Sequence, residues 1–239
     1  MVFKKAWRKL NSVTRKNVAR FQARKAIRNG MYDGIDRKAM AALRHEQDAS
    51  SFRKYQDRFE HSLIRNAERV YTLGLHEGPK LRILDLGCGF GYFLYGAKHF
   101  GHQVVGLDTD DPYLLSVTNL LGLKKVLHWI HPFKPLPELP DGPYDRVTAF
   151  ATCFDQAGMD GQWGVKEWTF FLKDLRRFMA PGCILHFKFN QYVGPGTKSG
   201  IGCRVVTPEL WEFFESLGGT FDKRFYRLPD APAAIAKLP

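Results

Sequence analysis

The sequence has few cysteines, no long apolar run and no acidic residue among its first thirty, and each absence removes a class of protein. The four cysteines among 239 residues are far apart and form no Cys-x-x-Cys pair. Neither a zinc site nor a disulfide framework is therefore indicated, and we expect reduced thiols in a cytosolic compartment. No run of about 18 or more apolar residues occurs, and no apolar block follows the first charges. We therefore expect neither a membrane-spanning helix nor a secretory signal peptide.

The net charge of +12 is concentrated in residues 1–30, which we call the basic arm. It holds ten of the 36 Lys and Arg residues and none of the 24 Asp and Glu residues, so the remaining chain is close to neutral. Large side chains recur every three or four positions in the arm, which predicts an amphipathic basic helix. They are Phe3, Trp7, Leu10, Thr14, Val18 and Phe21.

Three kinds of partner suit such an arm. It could lie on an anionic membrane surface, bind nucleic acid, or act as a mitochondrial targeting peptide. It could also simply pack on the body of the protein or on another subunit. The low serine content disfavours targeting, and the aromatic residues favour a membrane over nucleic acid, because the body has no matching basic surplus. We therefore expect residues 1–28 to bind an anionic membrane, with the protein peripheral on its cytoplasmic face.

Residues after the arm separate into a helical segment and an alternating one. Residues 31–78 predict a helical lid, with one apolar stripe along 52–73, and residues 79–239 predict a single domain. In that domain short apolar runs alternate with helix-length segments, which indicates βαβ units and a mostly parallel α/β sheet. The predicted strands are 81–87, 103–108, 125–130, 146–154, 183–190 and 220–228, and the final residues resemble a frayed end.

A glycine-rich stretch, Leu84–Phe93, stands at the end of the first predicted strand and reads LDLGCGFGYF. Ligands of open α/β sheets bind at the carboxyl ends of the strands. The spacing Gly87-x-Gly89-x-Gly91 does not match the dinucleotide fingerprint GxGxxG. The preceding Asp85 also suits an ammonium or sulfonium ligand better than a pyrophosphate.

This stretch resembles the first motif of class I S-adenosylmethionine-dependent methyltransferases, (D/E)xGxGxG. Asp108 matches the family's second marker, an acid at the end of the second strand that binds the ribose hydroxyls. The resemblance covers residues 80–228 and implies a Rossmann-like seven-stranded sheet, S-adenosylmethionine as cofactor, and no metal. The cofactor-binding positions that it implies are Asp85, Gly87, Cys88, Gly89, Gly91, Tyr92, Phe93, Asp108, Thr109, His131, Phe133 and Ala151.

The region after the third strand departs from the family pattern. Many members carry an acid there that accepts the adenine amino group, whereas this sequence has His131 near that position. A backbone carbonyl could do the same. Trp129 and Phe133 either contact adenine or belong to the core.

The methyl acceptor is expected at residues 150–156 and 188–192, which follow the fourth and fifth strands. Asp155 is the candidate general base for a hydroxyl acceptor, although it could instead cap a helix or form a turn. His128 and His131 are alternative bases, and Tyr55 and Gln56 of the lid could also contact the ligands. His186 lies inside a strand and is expected in the core or against a helix.

The residues after the fourth strand also narrow the acceptor class. Ala151–Gln156 reads ATCFDQ, unlike the tetrapeptide of DNA amino-methyltransferases. Cytosine-C5 enzymes need a nucleophilic Cys next to a Pro in this region, whereas Cys153 is followed by Phe and is expected to be a structural thiol. We therefore predict O-methylation of a small-molecule, lipid-linked or cell-surface glycan hydroxyl. RNA methylation, or cofactor binding without catalysis, remain alternatives.

Overall fold

The computed structural model describes residues 2–46, 57–152, 163–190 and 207–239. The helices are α1 (Val2–Arg28), α2 (Arg37–Glu46), α3 (Phe59–Thr72), α4 (Tyr92–His99), α5 (Pro112–Leu120), α6 (Val165–Arg176), α7 (Pro208–Ser216) and α8 (Ala231–Ile235). The strands are β1 (Arg82–Leu86), β2 (Gln103–Asp108), β3 (Lys124–Leu127), β4 (Tyr144–Phe150), β5 (Met179–Lys188), β6 (Thr220–Asp222) and β7 (Phe225–Leu228).

The first of two compact units is helical and comprises Met1–Lys80, Gly89–His102 and Asp111–Lys124. Within it α1 packs on α3, whose buried face consists of Leu63, Ala67 and Val70. Glu68 of α3 also pairs with Arg20 of α1, with 3.2 Å between Oε1 and Nε. Helix α2 was not identified individually within the predicted lid, because its ten residues carry few large apolar side chains.

The helix predicted for the basic arm is confirmed, and its buried side is made by alanines. Ala19 and Ala23 are buried, whereas the stripe residues Val18 and Phe21 are 49% and 64% exposed. Small side chains allow close approach of two helix backbones, so this side faces the unit. The large apolar residues of the described part of the stripe remain at the surface.

The second unit comprises Leu81–Cys88, Gln103–Asp110 and Lys125–Pro239, and contains the seven-stranded sheet. Its strand order is β3-β2-β1-β4-β5-β7-β6. Strand β1 is parallel to β2 and β4, and β4 is parallel to β5, while β7 is antiparallel to both of its neighbours. The order reverses between β1 and β4, which is where open α/β sheets bind ligands. The predicted Rossmann-like α/β class is confirmed.

One face of this sheet packs on α6 and α7. Trp168 of α6 is the centre of an aromatic cluster and lies 5.1 Å from Phe214 and 5.7 Å from Phe187, measured between ring centroids. The alternation of Leu185 and Phe187 with half-buried neighbours explains why one face of β5 is apolar. That face forms the main core of the unit.

Several predicted boundaries were wrong, among them the end of β4, which is Phe150 rather than residue 154, and the start of β5, which is Met179 rather than residue 183. Strand β3 ends at Leu127, so His128–Ile130 lie outside it. The last predicted strand is a hairpin of β6 and β7, because Lys223 adopts a left-handed turn conformation with φ of 57°. The C-terminal residues are not frayed: α8 buries Ala231 and Ile235 completely. Of the helices described, none is long and apolar enough to cross a membrane.

Candidate functional site

The backbone of the glycine loop has a conformation that glycine adopts easily. Gly87, Gly89 and Gly91 have φ angles of 68°, 56° and 78°, all in the left-handed region. A Cβ on Gly87 would lie 2.4 Å from Cγ2 of Thr152. No atom of a described residue lies within 4 Å of the corresponding position at Gly89. Packing therefore requires glycine at position 87, whereas position 89 leaves open space in which a ligand can approach the backbone.

Two threonines of the β4 region fasten the end of β1. The Asp85 carboxylate is 3% exposed and accepts a hydrogen bond of 2.6 Å from the Thr148 hydroxyl. The Thr152 hydroxyl donates to the carbonyl oxygen of Leu86 at 2.8 Å. Sequence analysis missed both threonines, because hydroxyl side chains in a strand carry no pattern that separates them from ordinary strand residues.

Asp108 is half-buried at the end of β2. Its Oδ1 accepts a 2.8 Å hydrogen bond from the Thr109 amide, and its own carbonyl oxygen accepts one of 2.8 Å from the amide of His128. The carboxylate is therefore held in one orientation. A half-buried, oriented carboxylate is well suited to accept hydrogen bonds from the two hydroxyls of a ribose.

Cys88 lies in the same part of the second unit and is inert. Burial raises the pKa of its thiol, and the charges of Asp108 and Asp85 raise it further. The thiol therefore stays protonated near neutral pH and is no nucleophile. The Lys125 ammonium, which opposes this shift, is buried without a hydrogen-bond partner among the described residues. Sequence analysis missed this lysine, since one charged residue in a short strand carries no distinct signal.

Tyr92 and Phe93 begin α4 immediately after the glycine loop, and both side chains are buried. The Tyr92 ring packs on Phe59 and Phe90, at centroid distances of 5.6 and 5.7 Å. The backbone at this helix start is what a ligand could contact. The Tyr92 hydroxyl is buried and makes no hydrogen bond to a described residue.

An exposed aromatic surface follows β3, formed by Trp129, His131 and Phe133. The rings of Trp129 and His131 stack at 5.9 Å with 16° between their planes. Trp129 is 59% and Phe133 53% exposed, so the interpretation of these residues as core is wrong. Phe133 has a φ of 57°, which is unusual for a large side chain and marks a tight turn.

His128 precedes this surface and differs from His131 in its environment. Burial lowers the pKa of His128, and the positive charges of His131 and Lys134 lower it further, against the opposite effect of Asp174. Its Nε2 is buried without a hydrogen-bond partner in the described part of the chain. A neutral imidazole of this kind can accept a proton, although no contact in the structure assigns it that role.

The acceptor side of the sheet is described as far as Thr152 and Asn190. The Asn190 side-chain amide donates to the carbonyl oxygens of Ala151 and Thr152, at 3.2 and 3.1 Å. Ala151 has a φ of 59°, and its amide donates to Lys188 O at 2.7 Å. The candidate base Asp155, with Tyr55 and Gln56, lies outside the described residues. Over the ranges that are described, no group of three or more His, Cys, Asp or Glu residues could hold a metal ion.

The sequence was compared with known protein families, and the result agrees with the fold and with the geometry of the glycine loop. Residues 84–187 match the family described as "Methyltransferase domain". Comparison with curated protein sequences finds no match.

Several solved structures are similar to parts of the chain at low sequence identity. The chain is similar to CalS10, an amino pentose methyltransferase from Micromonospora echinaspora involved in calicheamicin biosynthesis, with TM-score 0.46, 17% identity, and coverage of 70% of this chain and 90% of that chain. The glycopeptide N-methyltransferase MtfA gives TM-score 0.40 and 11% identity over 53% of each chain. A methyltransferase from Mesorhizobium loti gives TM-score 0.36 and 22% identity over 48% of this chain and 50% of that chain. The aligned region thus spans about half the length of the last two proteins.

The strand order and the glycine loop after β1 are those expected for the matched segment, residues 84–187. Residues 84–187 are thus similar to a methyltransferase domain, and the resemblance of the glycine loop implies S-adenosylmethionine as the cofactor.

Proposed function

We propose that the protein transfers a methyl group from S-adenosylmethionine to a sugar hydroxyl of a small-molecule, lipid-linked or cell-surface glycan. The observation that carries the glycan assignment is the exposed indole of Trp129 after β3, which is not among the positions proposed for adenine. Sugar rings pack their polarised C–H groups against the negative faces of aromatic rings. The Trp129 indole is 59% exposed at the edge of the sheet where ligands bind, and it offers such a face.

The cofactor is proposed to bind along the glycine loop and the end of β2. The backbone at Gly87, Cys88, Gly89 and Gly91, with the start of α4 at Tyr92 and Phe93, would lie along its methionine part. Asp108 and Thr109 would hold the ribose, and the positions for adenine are His131, Phe133 and Ala151. Asp85 would orient the loop through Thr148 and add negative charge near the sulfonium. The open space at Gly89 supports the fit, because a ligand needs close approach to the backbone there.

The residues of the chain position the acceptor and move its proton. The bound cofactor supplies an electrophilic methyl group in line with the incoming hydroxyl. The Asn190 amide, which ties the ends of β4 and β5 together, keeps the acceptor side of the sheet fixed. Asp155 is proposed to remove the hydroxyl proton as the methyl group transfers.

An activity assay with one substitution tests this assignment. Purified protein and radiolabelled cofactor are incubated with cell extracts, and the labelled product is fractionated. We expect label in a carbohydrate fraction, and Asp155→Asn should lower the rate by about 10²–10⁴-fold without weakening cofactor binding. Asp160→Asn is the matched control, since it removes the same charge from the same segment.

Two outcomes of that assay would contradict the proposal. Label found in RNA alone would favour RNA methylation. Absence of any labelled product, with cofactor binding intact, would favour a cofactor-binding protein without catalysis.

We further propose that residues 1–28 bind an anionic membrane and place the protein on the cytoplasmic face. Val18 and Phe21 are exposed on the same helix that carries ten basic residues by position 28. Apolar side chains of a surface helix insert at the headgroup boundary, and each basic residue near such a surface contributes about 1 kcal/mol.

Vesicle flotation can test this with point variants, which are preferable to truncation because Ala19 and Ala23 are buried. The full chain should float with anionic vesicles, less so at high salt. The double substitution Val18→Ser and Phe21→Ser should reduce flotation, whereas Phe225→Ser, an exposed aromatic outside the arm, should not. If the full chain stays in solution but retards RNA in a gel, the arm binds nucleic acid instead.

A further inference from the structure

The face of β4, β5 and β7 opposite the apolar core carries a cluster of cations. The strand register places Thr148 beside His186, and His186 beside Arg227. Paired residues of neighbouring strands project to the same face, and residues two apart in a strand do so as well. Arg146, two residues before Thr148, therefore shares this face with His186 and Arg227. We call these three residues the Arg-His-Arg cluster.

The hydrogen bond within the cluster fixes the imidazole tautomer. Arg146 Nη1 lies 2.9 Å from His186 Nε2. A guanidinium group can only donate, so Nε2 accepts and the ring proton resides on Nδ1. Burial lowers the pKa of His186 to about 3, and the charges of Arg146 and Arg227 contribute to that shift. The ring is therefore neutral at physiological pH and presents an N–H donor.

Arg146 has a second N–H group that no described residue accepts. Its Nε is buried and makes no hydrogen bond to any described residue. A buried charged donor without an acceptor is costly, and a bound anion would supply the missing acceptor. Burial lowers the pKa of Arg146, and the positive charge of the neighbouring Arg227 lowers it as well.

The nearby carboxylates are bound to other groups. Asp145, next to Arg146 in the chain, accepts hydrogen bonds from Arg82 N at 2.8 Å and Arg82 Nε at 3.5 Å. Asp85, on the same face as the cluster, accepts from Thr148. Lys188 stands on the same face, two residues beyond His186, with its ammonium 5.3 Å from the centre of the Phe225 ring. Positive groups thus extend from the cluster to the carboxyl end of β5, where the acceptor is expected.

We propose that the Arg-His-Arg cluster binds a phosphate or pyrophosphate group that the methyl acceptor carries. An oxyanion would accept hydrogen bonds from Arg146 Nε, His186 Nδ1 and the Arg227 guanidinium. The two guanidinium groups are charged, and their fork-shaped arrangement of N–H donors suits phosphate. This inference rests on the proposed glycan acceptor and specifies it as a sugar on a phosphate carrier. That carrier is either a nucleoside diphosphate or an isoprenyl pyrophosphate.

Binding of inorganic pyrophosphate to the full chain tests the site directly. Calorimetry at constant ionic strength, without cofactor, should show binding that Arg227→Met weakens about tenfold or more. Arg224→Met is the matched control, because Arg224 is, like Arg227, an exposed arginine of the same hairpin but is not paired with His186, so its loss should change the affinity less than about twofold. Equal losses in both variants, or an unchanged affinity in Arg227→Met, would overturn the proposal.

Arg146→Met should abolish pyrophosphate binding, with a thermal melt to check its fold. If that variant does not fold, the Arg227→Met result decides alone. The His186 ring gives an independent spectroscopic readout. Pyrophosphate should raise the pKa of His186 and shift its ring signals in isotope-labelled protein, while the exposed His99 should not respond. Saturating pyrophosphate that leaves the His186 signals in place would mean that the anion binds elsewhere.

Two further probes identify the carrier and separate this proposal from the proposed function. UDP-glucose and geranyl pyrophosphate are titrated in the same way, and the tighter of the two gives the carrier class. If Arg227→Met weakens the binding of both compounds, the site is supported. If the variant binds both compounds as tightly as the original protein, the site is contradicted. Pyrophosphate binding without glycan methylation would refute the proposed acceptor alone. Glycan methylation without pyrophosphate binding would refute the phosphate site alone.

Discussion

Strands β1 and β2 are neighbours, and each carries an aspartate near its carboxyl end, but the two carboxylates have different surroundings. Asp85 is almost completely buried and bound by a side chain of β4, at 2.6 Å from the Thr148 hydroxyl. Asp108 is half-buried and oriented by a local contact, the amide of the next residue at 2.8 Å. A carboxylate bonded across the sheet acts on the fold, whereas a carboxylate oriented at the strand end is placed to act on a ligand. We therefore expect substitutions at the two positions to separate stability from cofactor affinity.

The largest expected effect is at Gly89, in the loop that follows Asp85. Gly89→Val should abolish cofactor binding, because the side chain would fill the open space beside a left-handed backbone position. Gly74→Val is the control, since Gly74 has a φ of 68° and similarly open surroundings but lies outside the loop. Calorimetry with S-adenosylhomocysteine measures the difference, and equal affinity in the two variants would contradict the proposed loop.

The second-largest effect is expected for Asp108→Ala, which should weaken cofactor binding by about 1.5–3 kcal/mol, the usual contribution of hydrogen bonds to a charged group. The melting temperature should change little, since the group it removes is half-buried and bonded locally. Asp110→Ala, which removes an exposed charge two residues later, serves as the control. A loss of stability that matches the loss of affinity would mean that Asp108 is structural.

Asp85→Ala should chiefly affect stability and lower the free energy of unfolding by about 1–2 kcal/mol, with a smaller loss of cofactor affinity than Asp108→Ala. The Thr148 hydroxyl would lose its carboxylate partner, but the Leu84 carbonyl oxygen at 3.3 Å limits the cost. Chemical denaturation measures this, with Thr148→Val expected to give a similar loss. If the double variant were destabilised by the sum of the two single losses, the two side chains would not act as a pair.

Thr109→Val should have the smallest effect, below about 1 kcal/mol in cofactor affinity. The hydroxyl lies 3.4 Å from Asp108 Oδ1, whereas the amide that orients the carboxylate remains in the variant. The same calorimetric titration applies. An effect as large as that of Asp108→Ala would show that the hydroxyl itself contacts the cofactor.

The sequence predicted the parallel strands well, because β1, β2, β4 and β5 are apolar runs bounded by helix-length segments. It also identified the glycine loop and Asp108, whose spacing is specific to a family. Residues 128–133 were less predictable, since an aromatic such as Trp129 fits a core and an exposed surface equally well. The Thr148–Asp85 and Arg146–His186 contacts could not be predicted, because each joins residues about 40 or more positions apart and depends on strand register.

The hydrogen bonds of Asn190 have a consequence for how such an enzyme could change its substrate. One side-chain amide holds the carbonyl groups of Ala151 and Thr152, and so fixes the distance between the points at which the chain leaves β4 and β5. Insertions, deletions or exchanges in residues 153–162 and 191–206 would begin from two anchored positions. New acceptor specificities could then arise through changes in these two segments, while the ends of β4 and β5 keep their spacing.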